Sequence, residues 1–201
     1  RTLTEMSIVR HSEEKFTLIT AASAQWHDWD IVNKASSENI SVTDNTKSIS
    51  TLIITGPKSR NLLKKIGTDA DLHLPWLSHQ KAKVCGKPCH LMRVSFEGER
   101  GWEIHTKVEN ISALYKEITD AGAKPFGMWA LNSLRIEKGY RAWKGDLSTD
   151  YSLQEAGLSR FIKFDKEENF LGKAALEIER QRGIKKQFVT LIVSAGECDA
   201  P

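Results

Sequence analysis

Apolar and polar residues trade places at short period over residues 3–9 and again over 16–20, with the polar turn His11-Ser12-Glu13-Glu14 between them. That pattern predicts two strands joined by a hairpin. Over residues 24–35 the period lengthens: Trp26, Trp29, Ile31 and Val32 recur at spacings near three and four, which predicts a helix. Residues 40–42 and 50–55 read as further strands. Gly56-Pro57 then stops the second of these and opens a helix over 58–66, with proline near its first turn. A second cycle follows. Residues 81–85 and 89–95 form a hairpin across Gly86-Lys87-Pro88, residues 102–106 a strand, and residues 111–121 a helix with Leu114, Ile118 and Ala121 on one side. Further on, a helix over 128–138 is closed by Gly139, residues 143–152 are a polar loop, 173–181 a helix rich in both signs of charge, and 188–193 a last strand. The order strand, helix, strand, strand recurs about twice. This implies an α+β fold of two interlocked units with antiparallel sheets, not a doubly wound parallel sheet.

Composition narrows the picture without redirecting it. The chain has 201 residues, 40% hydrophobic and 27% charged, enough for one large domain or two small ones with a real core. Apolar runs such as Leu52-Ile53-Ile54 fall far short of the roughly 20 residues that span a bilayer. A net charge of +3 is too mild to argue for nucleic acid. Three cysteines, an odd number with no signal peptide, fit a reducing compartment such as the cytoplasm, or the mitochondrial matrix in a eukaryote. Starting at Arg1 and stopping just after a strand-like run, the sequence reads as an interior piece of something longer.

The chemistry concentrates in Ser95-Phe96-Glu97-Gly98-Glu99-Arg100-Gly101-Trp102-Glu103-Ile104-His105. Successive side chains of a strand point to opposite faces, so Trp102 and Ile104 share one face while Glu103 and His105 share the other. An ionised carboxylate only accepts hydrogen bonds and takes two parallel N–H donors at once. Among aromatic residues it suits a flat ring presenting an amino group beside a ring N–H, as a pterin does. The same alternation equally describes a surface strand with a polar face.

Three further segments accompany it: the run Ser133-Leu134-Arg135-Ile136-Glu137-Lys138-Gly139-Tyr140, then Glu155-Ala156-Gly157-Leu158, then Phe170-Leu171-Gly172-Lys173. In this order the four motifs resemble the folate-binding module of the glycine cleavage T-protein (aminomethyltransferase) family. The stretch from Arg135 to Asp146 is closer to the C-terminal folate module of dimethylglycine and sarcosine dehydrogenases. The resemblance implies a tetrahydrofolate-binding module over residues 1–182, its start truncated. Residues 183–201 would begin a C-terminal segment, with the family's C-terminal β-barrel absent. It implies capture of a one-carbon unit from an N-methyl or aminomethyl donor by a folate nitrogen. The donor would come from a lipoyl carrier protein, or from an upstream flavin domain carrying FAD. Folate binding without catalysis, transfer yielding 5-methyltetrahydrofolate, and a purely structural domain remain the other readings.

Residue by residue, the resemblance places the folate ring on Glu103, and on Glu5 the role of the family's catalytic aspartate, by alignment of Leu3-Thr4-Glu5-Met6-Ser7-Ile8 with a D-L-x-V pattern. Glutamate keeps the proton chemistry but is one methylene longer, and misplacement near 1 Å costs about 10²-fold in rate. Phe96 stands where relatives often carry tyrosine, and Leu131 where T-proteins carry an arginine for the folate carboxylates, a pairing leucine cannot make. Trp102 and Trp129 (with Trp143) are candidates to stack on the ligand, while Trp26 and Trp29 are expected in the core. Arg135 and Glu137 read as structural, and Asp146 and Asp150 as parts of a solvated loop. Lys58, Arg60, Lys64 and Lys65 form a basic helix face. Cys85 and Cys89 with His90 do not complete a metal set, so no metal site is expected.

Overall fold

A computed structural model describes residues 1–193 and Gly196. Two antiparallel sheets carry the chain. β1 (Met6–Arg10) and β2 (Phe16–Thr20) pair from Met6↔Thr20 to Arg10↔Phe16. The second sheet has the order β3-β6-β5-β4, built from β3 (Ile49–Thr55), β4 (His79–Val84), β5 (Lys87–Met92) and β6 (Gly101–Lys107). The helices are α1 (Gln25–Ala35), α2 (Ser59–Ile66), α3 (Ile111–Asp120), α4 (Met128–Glu137) and α5 (Lys173–Arg182). The architecture is the α+β one expected, and no closed barrel occurs among the described residues.

The core lies on one face of the four-stranded sheet. Ile54 of β3, Leu91 and Cys89 of β5, Val84 of β4, and Trp102 and Ile104 of β6 pack with Leu63 of α2 and Leu114 and Ile118 of α3. Each large apolar side chain sealed there contributes about 1.5–3 kcal/mol relative to exposure. Strand periodicity then fixes what the other face holds: His79 and Lys81, His90 and Met92, Glu103 and His105, Thr51 and Ile53. Core formation therefore decides where the chemistry points.

Glycine accounts for two of the sharper joints. The β4–β5 turn is Cys85-Gly86, with φ of 50° and 72°, the two positive values a two-residue hairpin needs. The turn thus falls two residues earlier than Pro88, and Pro88 enters β5 opposite Lys83, before pairing with β6 begins at His90↔His105. At the end of α4, Gly139 (φ 74°) donates its N–H to Ile136 O at 2.9 Å, and Tyr140 N–H reaches back to Arg135 O at 2.9 Å. This double closure explains the E-K-G-Y motif as a helix terminator.

Three expectations fail for physical reasons. Residues 40–42 form no strand, because Ile40 lies exposed beyond a turn with no strand edge beside it. Residues 188–193 are likewise unpaired, with Ile192 98% exposed; Phe188 instead donates its N–H to Glu155 O at 2.9 Å. Trp26 stands 73% exposed on α1, whose buried position is the polar Asp28. That side of α1 faces the 2–5 segment, where Thr4 Oγ1 donates to Asp28 Oδ1 at 2.5 Å and His27 Nε2 donates to Leu3 O at 2.8 Å. Apolar spacing alone does not reveal a helix side that is seated by polar bonds.

Candidate functional site

β6 holds the centre of the site. Glu103 sits between Ile53 of β3 and Met92 of β5 in the sheet register, with its side chain 22% exposed. His105 Nε2 lies 2.8 Å from Glu103 Oε2, and since a carboxylate only accepts, this nitrogen carries the proton. Nδ1 of the same ring then accepts from Thr51 Oγ1 at 3.0 Å. The relay Thr51–His105–Glu103 pins one carboxylate oxygen. Oε1 has no hydrogen-bond partner among the described residues, and beside it Ile53 is 39% exposed. A half-open carboxylate with one pinned oxygen and an apolar neighbour fits a flat ring with adjacent N–H donors.

Gly101 shows why the strand starts as it does. A Cβ there would stand 2.6 Å from both Ser95 Cβ and Val94 O, so only glycine lets the 94–100 turn fold back on β6. That turn sets Phe96 against Tyr140, ring centroids 6.3 Å apart and 15° from parallel. A cleft of about 330 Å³ opens beside it, lined by Trp76, Arg93, Gly98, Arg100, Lys138 and Tyr140. Its rim is basic, but Glu103 is not part of it, so the carboxylate belongs to an open sheet face and not to an enclosed pocket.

The other predicted site residues distribute unevenly. Trp102 is a correction: it is 0% exposed, on the face opposite Glu103, and no ligand at Glu103 can stack on it. The alternation that aims Glu103 outward buries its neighbour. Trp129 stands on α4, 88% exposed, and Leu131 is half-buried on the same helix. Glu5 lies in the segment just before β1 instead of within a strand. Its side chain is exposed at its edge yet crowded enough that burial pushes its carboxyl above the ordinary range. No hydrogen bond or ion pair joins Glu5 to Glu103 among the described residues.

Arg135 is structural as expected, whereas Asp146 is a correction. Arg135 is buried and bonded to Asn132 Oδ1 at 2.8 Å, to Tyr140 O at 2.9 Å and to Asp146. Asp146 also accepts from Ala142 N–H at 3.0 Å, so it organises the 142–147 loop and is not a solvated carboxylate. Gly157 (φ 69°) explains the E-A-G-L motif: a Cβ there would lie 2.9 Å from Arg141 Nη2, whose Nε bonds Ala156 O at 2.9 Å. Cys85 and Cys89 are free thiols; burial pushes Cys89 up to about 11, far from a reactive thiolate.

Sequence reading missed the buried carboxylates Asp28 and Glu97, each with one oxygen lacking a partner among the described residues. Neither stands in a pattern that distinguishes it from a surface acid. It also missed a cluster: the expectation of no metal set rested on His90 alone, and the fold brings His11 and His79 to it. His11 lies in another hairpin far along the chain, and His79 is not spaced from His90 as a metal motif would be, so no local signal marks the set.

Comparisons with known proteins give the family and the fold. The family model described as the GCVT N-terminal domain matches residues 1–166. The mitochondrial dimethylglycine dehydrogenase of Rattus norvegicus is 32% identical over 99% of the chain and 24% of its own length. The aminomethyltransferase of Caldanaerobacter subterraneus subsp. tengcongensis is 32% identical over 92% of the chain and 51% of its own length. In fold, the chain matches the crystal structure of the glycine cleavage system aminomethyltransferase T from Bartonella henselae. The TM-score is 0.78 at 21% identity, covering 89% of this chain and 49% of that one. The chain thus spans about a quarter of the length of one curated relative and half of the other. No helix among the described residues is long and apolar enough to cross a membrane. With a family model covering most of its length and the T-protein fold in its sheets, the chain belongs to the GCVT N-terminal domain family.

Proposed function

We propose that this chain binds tetrahydrofolate and supports transfer of a one-carbon unit to it from an N-methyl or aminomethyl donor, as the folate module of a dimethylglycine-dehydrogenase-type enzyme. The carrying observation is the half-open Glu103 carboxylate, one oxygen pinned by His105 and the other free beside exposed Ile53. Its donor-accepting edge fits the amino and ring N–H groups of a pterin. When bound, the folate supplies the nitrogen that takes up the carbon. Glu103 orients the ring, and Glu5, held above the usual carboxylate range, accepts a proton. FAD would belong to an upstream flavin domain. The relatives' names support the reading at the level of the family, and the mitochondrial label of the dimethylglycine dehydrogenase fits a mitochondrial location if the chain is eukaryotic.

Two observations favour a second reading, folate binding without catalysis. Glu5 sits outside the strand with a side chain one methylene too long, and Leu131 offers no fork for an acidic tail. In that case a lipoyl carrier protein or flavin partner would not be needed for binding.

Titration of the full chain with tetrahydrofolate, followed by calorimetry, tests the proposal alongside Glu103→Gln. Gln keeps the shape but replaces one acceptor by a donor. The expected result is a loss of affinity of tenfold or more, about 1.4 kcal/mol. Binding indifferent to Glu103→Gln, or none at all, overturns it. Normal binding with no methylene transfer from a donor enzyme selects the second reading.

A further inference from the structure

His11 closes the β1 end of the first hairpin, His79 opens β4, and His90 lies on β5, so three distant parts of the sequence converge. Their rings stand close, with centroids 5.3 Å apart for His11 and His79, 4.9 Å for His11 and His90, and 6.2 Å for His79 and His90. One ring nitrogen from each lies within 4.8 Å of the other two, and all three side chains are half-buried.

The hydrogen bonds settle which nitrogens are available. His79 Nε2 lies 3.0 Å from the Arg10 carbonyl, which only accepts, so Nε2 carries the proton and Nδ1 keeps its lone pair. That Nδ1 is buried without a partner, and so is Nδ1 of His90. His11 Nε2 is taken up by Thr17 Oγ1 at 2.8 Å, which leaves its Nδ1 for another partner. An imidazole that donates one N–H to a backbone carbonyl or hydroxyl and points its other nitrogen at a shared centre has the outer-shell arrangement of a metal ligand. Two buried nitrogens left empty are otherwise unfavourable.

We infer that His11, His79 and His90 form a binding site for a zinc-class divalent cation, with three imidazole ligands and a fourth position for water. Imidazole selects zinc and its neighbours over magnesium or calcium, which take oxygen. A tetrahedral zinc with bonds of about 2.0–2.1 Å holds its nitrogens roughly 3.4 Å apart, so the rings close by about an ångström on loading. Burial, then the neighbouring imidazoles, with Lys81 near both rings and Lys15 near His11, push His11 and His90 below the ordinary histidine range, and the neutral ring is the ligand form. The same lysines repel a cation and set the affinity below that of a four-ligand structural zinc. The site's role is a clamp, because His11 lies in the turn that joins β1 to β2 while His79 and His90 belong to the four-stranded sheet. His90 stands opposite His105 on the sheet face that carries Glu103, so the cation titration is run without folate.

Titration of the full, metal-stripped chain with Co²⁺ alone tests this, since a tetrahedral cobalt site absorbs visibly and Zn²⁺ displaces it. The expected result is a one-to-one band with Kd on the order of 1 μM or tighter. It should be weakened at least tenfold by each of His79→Ala, His90→Ala and His11→Gln. His11→Gln lies at a turn and spares the sheet, so it reports on ligation even where the strand variants unfold. Zinc should raise the melting temperature of the wild type and not of His11→Gln. Absence of a band at about 100 μM metal, or binding unchanged by His11→Gln, overturns the inference.

Discussion

The two faces of β6 differ by one residue and do opposite work. On one, Trp102 and Ile104 are sealed against α2 and α3 and meet no solvent. On the other, Glu103 and His105 hold each other at 2.8 Å, half-open, with His90 opposite His105. The same strand backbone supplies both, so the buried core and the polar face on which folate binding is proposed separate by alternation alone. A family resemblance that names G-W-E-I as one motif merges two functions that the pleat keeps apart. The tryptophan holds the strand in place, and the glutamate uses the placement.

Trp102→Ala should give the largest effect. Removing a fully buried indole leaves a cavity worth about 3–5 kcal/mol, whereas Glu103→Gln at a half-exposed position should cost under about 1 kcal/mol. Urea midpoints of the two variants check this directly. If Glu103→Gln proves the more destabilising of the two, the carboxylate is a structural member of the sheet and the comparison breaks.

Gly101→Ala comes next and sharpens the boundary between the faces. Its Cβ would point to the Glu103 side, where Ser95 Cβ and Val94 O stand 2.6 Å away, and backbone cannot yield as a flexible side chain does. Overpacking of this kind costs about 1–3 kcal/mol. It also displaces the turn bearing Phe96, so folate affinity should fall together with stability. A stability loss with affinity intact would detach Phe96 and its turn from the site.

Much of this was legible in the sequence, and the failures have a common cause. Apolar spacing located α1 and α3 to within a few residues, and Gly139 marked the real end of α4, because those signals are local. The alternation at Gly101–His105 correctly opposed Trp102 to Glu103, so naming Trp102 as a ligand residue ran against the pattern that placed it. The two hairpins were legible, but pairing between distant segments was not. Nothing in residues 40–42 or 188–193 says that no edge awaits them, and nothing near His90 announces His11 or His79. Buried acids such as Asp28, bonded to Thr4 across 24 residues, were invisible for the same reason.

Glu5 should show the smallest effect on stability and the most informative one on pH. Its folded carboxyl titrates above the ordinary 4.5, because burial penalises the charged form. The protonated group therefore fits the fold at no electrostatic cost below about pH 4.5. The penalty grows as pH rises through the raised folded value. Glu5→Gln removes a charge whose burial is unfavourable, so it should leave stability at pH 7 within about 0.5 kcal/mol of wild type or slightly above it. At pH 3, where the glutamate is already protonated, the two proteins should melt alike. If Glu5 also accepts a proton during transfer, the wild-type rate should rise with pH through that same raised value, and the Gln variant should lose both the rise and most of the rate while still binding folate. A Gln variant whose rate and pH profile match wild type would confine Glu5 to the edge of β1 and leave the Glu103 face as the whole of the site.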